Sequence, residues 1–336
     1  MSVPLRSRWL GLELEHPLIA AASPATGTLD GLLRLEDGGA AAAVLPSLFE
    51  EQIVHEEWET HCMFEWGAES TAEATSYFPE LTDYNTGPEQ YLDLLRWARE
   101  RLSIPVIASL NGHTPGGWVE FARQLEQAGA RALELNIAPV PVSPEETAAR
   151  VEARAVEIVR SVHEVVSIPI AIKLAPYWTS LPALARALEG AGADGLVLFN
   201  RLLAPDIDLE TLEVVPRLEL SRPFESLQAL RAVAILRDLE GLDLAATGGI
   251  HGAAEALKLS LAGADAVQVA AALLQHGPRW MQATRAALGH WLEEQGYESL
   301  EQARGSLARR AVPDPRVYER MNYMRALTSW SPALPP

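Results

Sequence analysis

Four times along the chain a helical pattern of apolar positions runs into a glycine and then into a short apolar strand. The phrase reads LEDGGAAAAVLP at 35–46, LEQAGARALELN at 125–136, LEGAGADGLVLFN at 188–200 and LSLAGADAVQVA at 259–270. A glycine there ends a helix because it enters the left-handed conformation without a Cβ penalty. The apolar runs that follow have the length and character of strands buried on both faces. A second phrase alternates with the first: HPLIAAAS at 16–23, IPVIASLN at 104–111, IPIAIKLAP at 168–176 and LDLAATGG at 242–249. These too read as buried strands.

Helical periodicity fills the stretches near 88–102, 115–128, 144–165, 179–190, 223–239, 251–262 and 277–294, with a weakly marked first helix at about 28–37. Strands alternating with helices predict a parallel sheet, and eight such units predict an α/β chain closed into a (β/α)₈ TIM barrel. A doubly wound open sheet is the structural alternative, but it does not need so even a series. Two connections are too long for plain turns, about 47–87 and 201–222. Both follow a strand, so both are expected on the C-terminal face, the first as a lid insertion carrying Trp58, Cys62, Trp66 and Tyr77. The tail at about 303–336 is expected to pack a last helix on the barrel. No low-complexity linker divides the chain, so 1–336 reads as a single domain.

Composition narrows the partners. The 336 residues carry a formal charge of −18, which argues against nucleic acid and against an anionic membrane surface. Of the 27 basic residues only Lys173 and Lys258 are lysines. Cys62 is the sole cysteine, which excludes a disulfide framework, a thiolate zinc site and an iron–sulfur cluster. The spacing of His55, His61 and Cys62 fits no common zinc site, so no metal is expected. The opening segment lacks the apolar core of a signal peptide and no run of 18 apolar residues occurs, so a cytoplasmic protein without membrane contact is expected.

Barrel chemistry sits at the C-terminal ends of strands. Those positions hold Ser23, Pro46-Ser47, Asn111, Asn136, Lys173, Asn200, Thr247-Gly248-Gly249 and Ala270-Ala271. A carboxamide both donates and accepts, which suits a flat heterocycle with alternating C=O and N–H edges; a lone strand-end Asn otherwise just starts a turn. Lys173, flanked by apolar residues, needs an anion, a ligand or the barrel mouth. Three roles are open to it: a structural ion pair, a cation beside an electron-rich ring, or a Schiff-base nucleophile. Lys258 reads as solvated helix surface. The Thr247-Gly248-Gly249 turn opens into a helix, an arrangement that binds anions, and barrels commonly hold phosphate there. The Gly-rich 112–117 stretch lacks the lysine of a P-loop and reads as a turn.

Taken together, HPLIAAAS, SLFEEQI, YNTGPEQYLDLL, ASLNG, ELNI, IKLAPY, the Asn of LVLFN, ATGGI and VPDPRVYERMNYMRAL resemble the dihydroorotate dehydrogenases, class 1 and its dihydroorotate dehydrogenase-like relatives. The resemblance runs over almost the whole length and implies an FMN-binding (β/α)₈ barrel, an oxidoreductase of pyrimidine biosynthesis, and a homodimer. It implies that Lys173 contacts the flavin ring and ribityl chain, that Asn111 and Asn136 line flavin and substrate, and that Asn200 bonds a pyrimidine. Asn85 is implied as a further substrate asparagine, Gly248 and Gly249 as the phosphate pair beside Thr247, and Ala22 and Ser23 as neighbours of the isoalloxazine.

The departures from the family pattern bear on mechanism. Pro46 stands where a lysine touches flavin and substrate, and Arg201 replaces a Ser or Thr beside the substrate. Ala270-Ala271 replaces a Gly-Thr or Gly-Ser phosphate contact. Pro139 stands where the family places its Cys or Ser base, and Pro141 where it has another asparagine; Ser143 is the nearest hydroxyl, a weak candidate base. Proline accepts no proton, and losing a positioned base slows a reaction by about 10²–10⁴-fold. The expected function is therefore FMN-dependent oxidation of dihydroorotate or a related flat heterocycle, with an atypical or missing base. The alternatives are a barrel that binds FMN or a phosphorylated ligand without redox catalysis, and a lyase using Lys173.

Overall fold

A computed structural model describes residues 3–49, 88–111, 115–201, 204–319 and Thr328. Its centre is a closed eight-stranded parallel barrel. The eight strands are β3 (Leu18–Ala20), β4 (Ala43–Phe49), β5 (Val106–Asn111), β6 (Leu133–Ile137), β7 (Ile170–Leu174), β8 (Gly195–Leu198), β11 (Asp243–Thr247) and β12 (Ala266–Val269). Helices join them: α1 (Leu29–Asp37), α2 (Pro88–Arg101), α3 (Pro115–Ala128), α4 (Ala148–His163), α5 (Leu181–Gly190), α6 (Ser226–Leu236) and α7 (Ala253–Ala262). The TIM-barrel expectation holds. After β12 come α8 (Ala271–His276), α9 (Trp280–Glu294), α10 (Leu300–Ala303) and α11 (Arg316–Glu319).

The repeated phrase has a physical reason at each position. Its glycines, Gly39, Gly129, Gly192 and Gly263, all have positive φ where the helix ends. Glu36 at the end of α1 accepts from the main-chain N–H groups of Ser103 and Ile104 ahead of β5, and Glu126 does the same for Ser167 ahead of β7. The aspartates of the two GAD triplets close neighbouring strands, since Asp194 accepts from Ile170 N and Asp265 from Leu244 N. Each of these residues thus caps a neighbouring unit, and the sequence repeats because the capping repeats.

Strand faces alternate with period two. One face packs on the helices, as with Leu133, Leu135, Ile170, Ile172, Val267 and Val269. The other forms a second buried cluster in the lumen, with Ile19, Val44, Ile107, Ala171, Val197, Ala245 and Ala266. Barrel lumens are commonly filled by bulky branched residues; here many are alanines, because a plug fills the space. Two short strands that the hydrophobic pattern did not flag, β1 (Ser7–Trp9) and β2 (Leu12–Leu14), form an antiparallel hairpin whose Trp9, Leu10 and Leu14 join the lumen cluster. A Cβ on Gly195 would lie 2.9 Å from the Trp9 ring and 2.9 Å from Leu10.

Two further differences concern the connections. The connection at 201–222, too long for a plain turn, contains an antiparallel hairpin, β9 (Ala204–Asp208) paired with β10 (Glu213–Arg217). In β4, Val44 pairs with Ile107 and Ser47 with Ser109, so three residues oppose two and a bulge falls at Leu45-Pro46. A proline in a central strand is tolerated at such a bulge. Of the expected lid, 50–87 lies outside the described residues, and so does most of the tail beyond α11.

Candidate active site

A polar layer rests on the apolar plug. On β6, Leu133, Leu135 and Ile137 pack on the helices, so Glu134 and Asn136 face the lumen with Lys173 of β7 and Gln268 of β12. Lys173 Nζ lies 3.1 Å from Glu134 Oε1, and Gln268 Nε2 donates to Glu134 Oε2 at 2.7 Å. Strands β12 and β6 stand on opposite sides of the barrel, so this bridge crosses the lumen. Lys173 is the fourth of the five residues of the fifth barrel strand and is paired with a buried anion, the ion pair being one of the three roles its sequence position left open.

The bulge in β4 changes which residue the second strand offers. It turns Ser47, not Pro46, toward the lumen, where the Ser47 and Ser109 hydroxyls meet at 2.8 Å. Ala108 N bonds Ala132 on the β6 side, so the Ser109 main chain faces β4 at the bulge. There the Tyr91 hydroxyl accepts from Ser109 N at 3.0 Å and donates to Ser109 O at 3.3 Å. Burial, and to a lesser degree the charge of Glu134, hold the Tyr91 phenol well above its ordinary value, so it stays protonated.

Asn136 is buried, and Asn111 and Asn200 are half-buried at their strand ends. Asn200 N–H donates to Leu174 O at 2.8 Å, which ties the exit of β8 to β7. Ser23 is buried, its main chain bonded in both directions to Thr26, with Ala22 half-buried before it. Thr247 and Gly248 are half-buried at the exit of β11, and Gly249 is buried; Ala270 and Ala271 form the turn from β12 into α8. Gly249 has φ +70°, and a Cβ there would come within 2.5 Å of Ser226 N, so only glycine lets β11 approach that segment. Gly248 has φ +91° and open space where a Cβ would stand.

The substrate side is built differently. Arg201 is exposed and paired with Glu225 at 2.7 Å. Ser143 donates its hydroxyl to the Glu145 carboxylate, which that bond holds below the usual carboxylate range. Between Asn136 and Ser143 the loop offers Pro139, Val140, Pro141 and Val142, with Val140 and Val142 exposed. Asn85, His55, His61 and Cys62 lie outside the described residues. Lys258 is exposed on α7, as expected. No group of metal-binding side chains occurs among the described residues, and no helix among them is long and apolar enough to cross a membrane.

Three buried polar atoms of this region have no hydrogen-bond partner among the described residues: Asn136 Oδ1, Gln268 Oε1 and Ser23 Oγ. Buried polar atoms are almost always partnered. Two of the three can only accept, so a ligand with ring N–H or hydroxyl donors fits them. With the Gly248 main chain open beside α7, the residues present fit a planar polar group that ends in a phosphate. The sequence reading missed Glu134 and Gln268; the signal was that each stands two residues before a position it had singled out, and so shares its face.

The sequence profile of the dihydroorotate dehydrogenase family matches residues 83–292. A protein of Aeropyrum pernix named for dihydroorotate dehydrogenase A (fumarate) is 34% identical over 226 residues, covering 65% of this chain and 72% of that protein. A Pediococcus pentosaceus protein named likewise is 29% identical over 272 residues, 78% of this chain and 86% of its own length. The catalytic subunit of a dihydroorotate dehydrogenase B (NAD(+)) from Anoxybacillus flavithermus is 34% identical over 174 residues, 50% of this chain and 56% of the subunit. A closed barrel with a polar mouth defines the class, and the chain belongs to the dihydroorotate dehydrogenase family.

Proposed function

We propose that the protein is an FMN-dependent oxidoreductase acting on dihydroorotate or a related flat heterocycle, with an atypical or missing catalytic base. The observation that carries this is the set of orphaned polar atoms, Asn136 Oδ1, Gln268 Oε1 and Ser23 Oγ, gathered above a plugged lumen. Bound there, FMN supplies the hydride-accepting centre that no side chain offers. Lys173, Asn111, Asn136, Ala22 and Ser23 would hold its ring and ribityl chain, and Thr247, Gly248, Gly249, Ala270 and Ala271 would hold its phosphate through main-chain N–H groups. Asn136, Asn200 and Arg201 would form the substrate side, and the family resemblance adds Asn85, which lies outside the described residues.

Removal of the second hydrogen as a proton needs an acceptor, and Ser143 is the candidate. Its hydroxyl already donates to Glu145, so it can take a proton while passing its own to that carboxylate. FMN-loaded protein mixed anaerobically with dihydroorotate is expected to bleach slowly, at a rate about 10²–10⁴ below that of a site with a positioned base. Fast bleaching that survives Ser143→Ala would remove this account of the base. The apolar run Pro139–Val142 favours a second reading, a barrel that binds FMN without turnover; it predicts bound flavin that no dihydro-heterocycle reduces.

A homodimer is part of the proposal. The β9–β10 hairpin pairs Ile207 with Val214, both largely exposed, and Leu209, Leu212, Leu218 and Phe224 extend the apolar surface. An apolar patch of that kind marks an interface. A cytoplasmic setting completes the proposal, supported by the single cysteine.

A further inference from the structure

Glu134 is the hub of the lumen's polar layer and has no role in the assignments above. It is 1% exposed, and each of its oxygens has a partner: Lys173 Nζ at 3.1 Å on one and Gln268 Nε2 at 2.7 Å on the other. A carboxylate only accepts hydrogen bonds, so the Gln268 amide must turn its NH₂ toward Glu134 and its carbonyl away. That leaves Gln268 Oε1 as a buried acceptor without a partner among the described residues. One acidic side chain therefore decides two things at once, the charge balance at Lys173 and the polarity of the group presented by the opposite strand.

We propose that Glu134 is a positioning residue for the flavin, acting through Lys173 and Gln268. It offsets the charge of Lys173 and fixes Gln268 as an acceptor, so a ring lying on this layer meets a charge-balanced floor and not a free cation. The assignment rests on the FMN reading. Its consequences are electrostatic. Without the Glu134 charge, Lys173 becomes an unbalanced cation beneath the ring and favours the reduced, more electron-rich state of FMN. Without Lys173, a buried carboxylate is left facing an anionic cofactor. At an effective dielectric constant of about 20, one unit charge within about 12 Å of the ring is worth about tenfold or more in such an equilibrium.

The test uses the full chain with FMN itself. FMN affinity is read by fluorescence titration, and the ratio of reduced to oxidised FMN by equilibration against a reference dye. Glu134→Gln is expected to move that ratio about tenfold toward the reduced form, about 30 mV for a two-electron couple, and Glu134→Asp to reverse most of the change. Lys173→Met is expected to weaken FMN binding, and Lys173→Met/Glu134→Gln to recover part of the loss, a pattern that a packing defect does not produce. If Glu134→Gln fails to fold, the comparison of the single with the double Lys173 variant decides. An unchanged ratio in FMN-bound Glu134→Gln, or a double variant no better than Lys173→Met, overturns the role of Glu134 and leaves the FMN reading standing. Wild-type protein that does not bind FMN removes both.

Discussion

Two buried side chains outside the ligand floor set much of what single substitutions should do. Tyr91 closes the main chain of Ser109 at the β4 bulge, and nothing else among the described residues bonds that hydroxyl. Tyr91→Phe removes both of these hydrogen bonds, each worth about 0.5–1.5 kcal/mol, and is expected to cost about 1–3 kcal/mol of stability, read by urea denaturation. His16 is buried, with its Nδ1 accepting from Leu18 N. Burial, then the nearby Arg285 charge, lowers it from 6.5 to about 4. The folded protein thus binds this proton later than the unfolded chain. The stabilisation is complete above pH 6.5, is lost as pH falls from there to about 4, and amounts to about 3 kcal/mol. The stability difference between wild type and His16→Gln, measured by denaturation across that range, should be constant above pH 6.5 and shift by about that amount below it. At this scale the strand-end asparagines and Lys173 were legible, because a polar residue ending an apolar run stands out. Glu134 was not, because its partner Gln268 is 134 residues away across the lumen and no local pattern links them.

The elements that departed from the hydrophobic pattern are the ones that shape the site. Strand β4 reads as a plain buried run, yet its bulge exchanges Ser47 for Pro46 at the lumen; an added residue inverts every later side chain and leaves no mark on composition. The β1–β2 hairpin is three residues a side, too short for a periodic signal, and its importance comes from where Trp9 lands. Trp9 is fully buried beneath the polar layer. Trp9→Ala is expected to cost about 3–5 kcal/mol in denaturant titrations, and the loss should be accompanied by weaker FMN binding because the floor above loses its support. A cost below about 1 kcal/mol would show that the hairpin is not the plug described. By contrast the helices were legible to within a few residues, since each carries an amphipathic face and α1, α3, α5 and α7 run into a glycine whose φ is positive.

At the scale of the molecule, the even alternation of eight units made the barrel legible from local signals alone, while the hairpin proposed as an interface was not. The β9–β10 hairpin lies in a stretch whose strands have no buried face to announce them. Val214→Arg combined with Ile207→Arg is expected to convert a dimer in sedimentation velocity into a monomer without loss of fold; a wild-type monomer would contradict the proposed interface. At the barrel mouth Asn136 Oδ1, Gln268 Oε1 and Ser23 Oγ are buried without partners among the described residues. The central claim, that this mouth holds FMN, is tested most directly by the flavin content of the protein. Purified protein incubated with FMN and then desalted should retain one flavin per chain, visible in its absorption spectrum, and Lys173→Met or Asn136→Ala should retain less. A colourless wild-type protein that also fails to quench FMN fluorescence would contradict the account.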